Sequence, residues 1–224
     1  MLKRSKENLS LKNYSEFCEP FKICKIDLDI PKNDIKILRM CIRNNGGEYH
    51  IPDSLNWLND YFHKVLDHHK NFFGVEYPFS YVTVRSGLTE FQTDSAWHVD
   101  GFSMREEHLP EKNYIWTSNE GTEYIEKNFY IPESFDPLLY NINNYLSQFV
   151  KDKDIKKLES GFIYCIDPYI LHRRPPTTQN IRRTFVRISF VPIQINDVRN
   201  TQNPLLPVEY TKDGIDFRNK LLNY

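Results

Sequence analysis

The segment Arg182-Arg183-Thr184-Phe185-Val186-Arg187-Ile188-Ser189-Phe190 limits the fold more than any other stretch of the chain. It is rich in β-branched and aromatic residues and has no glycine or proline, which predicts a strand. Strand side chains alternate between two faces. Thr184, Val186, Ile188 and Phe190 therefore share one face, and Arg183, Phe185, Arg187 and Ser189 share the other. The first face asks for an apolar core. The second carries two guanidiniums that, turned inward, need an anionic partner. Carboxylates on neighbouring strands would serve. So would a bound dicarboxylate, held by the planar fork of an arginine. Arg182 lies on the opposite face from these and is expected to be solvated or salt-bridged.

Other segments extend this picture. Phe21 to Ile30 alternates apolar and polar residues and predicts an early strand. Ile35, Leu38 and Ile42 recur near helical spacing, so Pro31 to Asn45 reads as a helix stopped by Gly46-Gly47. A stronger helix is expected over Asp53 to Phe72, with Leu55, Leu58, Phe62, Val65 and Leu66 as its stripe and Asp53 or Ser54 as its cap. Further strands are expected at Phe79–Arg85, Phe91–Val99, Asn113–Thr117, Glu123–Ile131 and Gly161–Ile166. Helices are expected over Ser134–Val150 and near Gly214–Tyr224. Helices first and many strands later imply one α+β domain, a β-barrel or sandwich buttressed by N-terminal helices. Its divisions would be a polar arm (1–20), helical support (21–75), a β core (76–195) and a C-terminal extension (196–224).

The chemistry is carried by Trp97-His98-Val99-Asp100. Residues two apart on a strand point the same way, so His98 and Asp100 can reach one ion. With seven histidines in the chain, chance alone yields about half an H-x-D, and a surface histidine beside a capping aspartate is the bland alternative. His172 changes the balance. It follows the strand Gly161–Ile166 and a turn, and it can close a face of two imidazoles and one carboxylate that leaves positions open on the metal.

This combination of H-x-D, a distant histidine, and arginine with serine two residues on resembles the Fe(II)/2-oxoglutarate-dependent dioxygenase superfamily over about Phe79 to Pro192. The resemblance implies a double-stranded β-helix, a jelly-roll and cupin-like core. It implies Fe(II) on His98, Asp100 and His172, with 2-oxoglutarate and O₂ as cosubstrates. Hydroxylation, or demethylation through hydroxylation, would follow, with succinate and CO₂ as co-products. Asp100 is retained, unlike in related halogenases. For the cosubstrate carboxylate, Arg187 with Ser189 resembles one set of members. Arg183 with Thr122 after Gly121 resembles the taurine dioxygenase branch, which would leave Arg187 for a substrate anion. Arg187 is the first expectation and Arg183 the second, with Ser189 and Thr122 as supporters.

Composition narrows the partners less. The formal net charge of −1 gives no global drive toward nucleic acid or anionic membranes. Yet Arg173, Arg174, Arg182, Arg183, Arg187 and Arg199 gather near the expected metal. An anionic small molecule, a protein side chain and a nucleic acid all stay open as substrate. The four cysteines form no C-x-x-C pair, the N-terminus lacks an apolar leader, and no apolar run spans a bilayer. A cytoplasmic protein with reduced thiols is expected. His68-His69 is expected to be either at the surface or at the C-terminal end of its helix. Trp97 and Phe102 could wall the site. The competing function is a non-catalytic β-barrel module that binds metal or anion and recognises a partner through its arginines.

Overall fold

The computed structural model describes residues 19–74, 76–92, 95–100, 111–132, 135, 140–176, 179–195 and 197–209. The expected terminal helix, Phe102 and nearly all of the N-terminal arm lie outside these residues. The strands are β1 (Phe21–Lys25), β2 (Ile35–Arg43), β3 (Phe79–Leu88), β4 (Lys112–Thr117), β5 (Glu123–Ile125), β6 (Ile155–Lys157), β7 (Phe162–Ile166), β8 (His172–Arg173) and β9 (Arg182–Val191). Two α-helices accompany them, α1 (Asn59–Phe73) and α2 (Ile142–Ser147). A six-stranded sheet runs β1-β7-β4-β9-β3-β2 and a three-stranded sheet runs β6-β5-β8. Every pairing is antiparallel.

Strand alternation builds the layers. Val186, Ile188 and Phe190 of β9 join Val82 and Val84 of β3 and Tyr114 of β4 in one cluster under Tyr61, Phe62 and Val65 of α1. The opposite face of this sheet meets the small sheet. Ile115, Tyr164, Ile166 and Phe185 pack there with Tyr124 and Leu158. Ile125 and Leu171 point the other way, toward Ile142 and Leu146 of α2. The chain is thus mostly antiparallel sheet with few helices. No described helix is long and apolar enough to cross a membrane.

Several expectations need correction. Residues 31–45 are not a helix; β2 occupies Ile35–Arg43. The reason is a β-bulge. Ile37 lies opposite Val84 and Met40 opposite Val82, so one extra residue breaks the alternation and leaves Ile35, Leu38 and Ile42 at a false helical spacing. The segment 21–75 therefore supplies two strands of the main sheet as well as a helix. That helix opens with a 3₁₀ turn (Asp53–Leu58), and neither Asp53 nor Ser54 caps it. The strand expected over Glu123–Ile131 ends at Ile125. The described helix within 134–150 is only α2, capped by the Asn141 side chain on the N–H groups of Asn143 and Asn144. His69 is not at the surface. It is buried and stacks on Phe190 at 3.8 Å between ring centres, while His68 is half-buried with Nδ1 3.1 Å from the Tyr114 hydroxyl.

The chain after β9 returns to β2 through Asn203, which is 1% exposed. Its Nδ2 donates to the carbonyls of Cys41 and His50, both at 2.8 Å. Asn203→Ala would leave both carbonyls without that donor inside the protein. A loss of about 2 kcal/mol in unfolding free energy is expected by denaturant titration.

Candidate metal centre

His98 and His172 face each other across a single antiparallel bridge. Each backbone N–H donates to the other's carbonyl at 2.9 Å. Directly opposed residues project to the same side, which brings the two imidazoles together with ring centres 4.4 Å apart. Among the described residues of its segment only His98 is in a bridge, and the fuller strand expected over Phe91–Val99 is not seen there. Asp100 follows at a bend, with its Oδ2 3.4 Å from His172 Nε2. One ligand atom from each of the three residues falls within 4.8 Å of the others. Around one ion, with metal–ligand bonds near 2.1 Å, such atoms stand about 3 Å apart. Small side-chain adjustments would close the set.

The ring nitrogens are already assigned. His98 Nδ1 lies 2.8 Å from the Ala96 carbonyl, and His172 Nδ1 lies 2.8 Å from the Ile170 carbonyl. A carbonyl can only accept, so Nδ1 carries the proton and Nε2 keeps its lone pair for a metal. Burial, and then the neighbouring His172, push the His98 pKa down to about 4, so its imidazole is neutral at physiological pH. Burial alone would raise Asp100, but Arg187 and His172 beside it hold its carboxyl well below the usual range. The donor set is therefore two imidazoles, each with Nδ1 tied to a carbonyl, and one carboxylate, the chemistry a non-haem divalent metal asks for.

Around this centre lies a cavity of about 360 Å³ between the two sheets. β9 delivers Arg183, Phe185 and Arg187 to it, β3 delivers Thr83 and Arg85, and β2 delivers Leu38 and Arg39. His172 and Arg173 enter from β8, Arg174 from the loop after it, and Thr122 from just before β5. Arg199 and Asn200 close it from the chain after β9.

The expected cosubstrate residues divide. Arg187 Nη1 donates to Asp100 Oδ2, so this arginine braces a metal ligand; its Nε is buried without a hydrogen-bond partner. Ser189 does not reach the cavity. It lies behind Arg187, and its hydroxyl donates to Asn113 Oδ1 at 2.6 Å. Arg183 and Thr122 line the cavity together and are both buried. Arg183 is steadied by the Glu120 carbonyl at 3.0 Å and by Gln92 Oε1 at 3.4 Å. Thr122 follows Gly121, where a Cβ would lie 1.6 Å from the Leu158 carbonyl oxygen. That close approach is why glycine precedes the threonine.

Of the other cluster arginines, Arg182 is paired outside the cavity with Asp34 at 2.9 Å, as expected from its face. Arg173 pairs with Glu123 at 2.8 Å and covers the Trp97 ring, which packs against the cluster under α2 and not on the cavity. Two cavity arginines were not singled out from the sequence. Arg85 carried a signal, since it continues the alternation of Thr83 on a strand otherwise apolar. Arg39 did not, because the bulge hides its face.

No protein-family model matches the chain, and no curated protein matches it by sequence. Similar solved structures include a non-heme monooxygenase, ThoJ, as a nickel complex (14% identity, TM-score 0.36, covering 72% of this chain and 68% of that one). HygX from Streptomyces hygroscopicus with nickel and 2-oxoglutarate bound is similar at 11% identity and TM-score 0.42, covering 82% and 80%. AviO1 from Streptomyces viridochromogenes Tue57 is similar at 12% identity and TM-score 0.37, covering 80% and 76%.

Proposed function

We propose that the protein is an Fe(II)- and 2-oxoglutarate-dependent oxygenase on a double-stranded β-helix core. The observation that carries this reading is the His98, Asp100 and His172 set, with both Nδ1 atoms tied back, opening into a cavity walled by arginines. His98, Asp100 and His172 would hold the metal. Bound there, it would couple oxidative decarboxylation of 2-oxoglutarate by O₂ to hydroxylation of a substrate, or to demethylation through hydroxylation.

The chain's own groups have separate tasks. Arg187 keeps Asp100 ionised and fixes its orientation. Arg183 and Thr122 take the far carboxylate of 2-oxoglutarate, because they share the cavity while Ser189 does not. The apolar packing of Phe185 with Ile115 and Tyr164 keeps water from one side of the cavity. Arg183→Met is expected to weaken metal-dependent 2-oxoglutarate binding by tenfold or more, about the loss of one charge-assisted bond. Ser189→Ala is expected to change it less than about twofold. Isothermal titration without oxygen reads both, and the reverse order would return the cosubstrate to Arg187 and Ser189.

A further inference from the structure

We propose that Arg39 and Arg85, beside Arg187, form a second anion site in the cavity, and that it takes the phosphate monoester of a small substrate. The proposal rests on the oxygenase reading and supplies the substrate class that reading leaves open.

Arg39 occupies its place by construction. In an unbroken β2 it would stand opposite Val82 and enter the apolar layer under α1. The bulge gives that place to Met40 and turns both Leu38 and Arg39 into the cavity. Hydrogen bonds from outside the ladder satisfy the bulged backbone. Leu38 N–H donates to Thr201 Oγ1 at 2.9 Å, Thr201 N–H donates to the Leu38 carbonyl at 2.8 Å, and Arg39 N–H donates to Thr83 Oγ1 at 3.2 Å. Arg39 itself sits at φ 42, in the left-handed region where a long side chain is costly and glycine is at ease. Among the described residues its guanidinium makes no ion pair and no hydrogen bond. A strained backbone, held by Thr201 and Thr83, aims a cation unpaired among the described residues into the cavity that holds His98, Asp100 and His172. Such strain marks places where a ligand is held.

Charge points to the kind of ligand. Among the described residues, seven arginines line the cavity, against the carboxylates of Asp100 and Asp197. Glu111 shares a narrow crevice with Arg39 and Arg187, and Glu123 pairs with Arg173. Glu120 lies beside Arg183. With these five acids ionised, two positive charges are left over among the described residues. A divalent metal and the 2-oxoglutarate dianion cancel one another. A dianionic phosphate ester matches this excess better than a single carboxylate or sulfonate does, and arginine forks suit its tetrahedral oxygens. Arg183 lies four residues from Arg187 along β9, about 13 Å, so the cosubstrate at that end leaves Arg39 free. At about 360 Å³ the cavity is at the small end of ligand pockets, which favours a metabolite.

The test titrates protein loaded with Mn(II) and 2-oxoglutarate, without oxygen, with glycerol 3-phosphate, propanesulfonate and glycerol. The phosphate ester is expected to bind at least about tenfold tighter than the sulfonate, and glycerol not at all. Arg39→Gly should weaken phosphate-ester binding about tenfold or more and leave 2-oxoglutarate affinity within about twofold. Its melting temperature should be unchanged or raised, since glycine accepts this φ. Arg85→Met should weaken the phosphate ester in the same direction. Wild-type phosphate binding in Arg39→Gly, or equal binding of phosphate and sulfonate, would overturn the proposal. Binding of 2-oxoglutarate without any binding of the phosphate ester would sink this inference alone. Phosphate-ester binding that depends on Arg39, with no 2-oxoglutarate binding, would keep the anion site and sink the oxygenase reading.

Discussion

Replacing Gly121 with alanine is expected to destabilise the protein by about 3 kcal/mol or more. The added Cβ would lie 1.6 Å from the Leu158 carbonyl oxygen and 2.6 Å from its carbonyl carbon. Both atoms are backbone and cannot swing aside as a side chain could. The chain around β5 and β6 must therefore separate. That strains the Leu158 N–H bond to the Thr122 carbonyl, now 2.9 Å, and moves Thr122 out of register with the cavity. At this chain length about 3 kcal/mol corresponds to a fall in melting temperature of roughly 6–12 °C. Thermal unfolding followed by circular dichroism reads it. A variant that melts with the wild type would show that the two segments do not approach so closely.

Asp100→Ala is expected to lower divalent-metal affinity by more than about 100-fold. Removing a ligand should exceed the 10–100-fold typical of losing a group that only orients one. The same change leaves the Arg187 guanidinium without its carboxylate. Stranding a buried charge in this way costs about 3 kcal/mol or more, so lost binding could be blamed on damage to the fold. The double variant Asp100→Ala with Arg187→Met separates the two. It should recover most of the stability and none of the metal affinity, because the two roles of Asp100 act on different partners. Recovery of metal binding in the double variant would remove Asp100 from the ligand set.

Where the sequence is regular it is informative. The two faces of β9 follow from alternation, and the structure puts Val186, Ile188 and Phe190 in the core and Arg183 and Arg187 in the cavity. His98, Asp100 and His172 were legible as residue types that could share one ion, and the structure brings all three together. The failures lie at irregularities. The β2 bulge shifted the pattern of Ile35, Leu38 and Ile42 into a helical one and concealed Arg39. The helix-end position of His69 was legible, but its burial depends on Phe190, far away in the chain. Ser189 shares a strand face with Arg187, yet Asn113 on the adjoining strand takes its hydroxyl. Face assignment by spacing does not say which cross-strand neighbour will claim a polar group.

Metal-dependent binding of 2-oxoglutarate tests the central claim most directly. The measurement is isothermal titration of 2-oxoglutarate into the protein without oxygen, with and without Fe(II) or Mn(II), and repeated on His172→Ala. Binding is expected with the metal, at least about tenfold weaker without it, and as weak in the variant as in the metal-free protein. No binding with either metal, or binding of equal strength in His172→Ala, would contradict the account and favour a protein that recognises anions through its arginines alone.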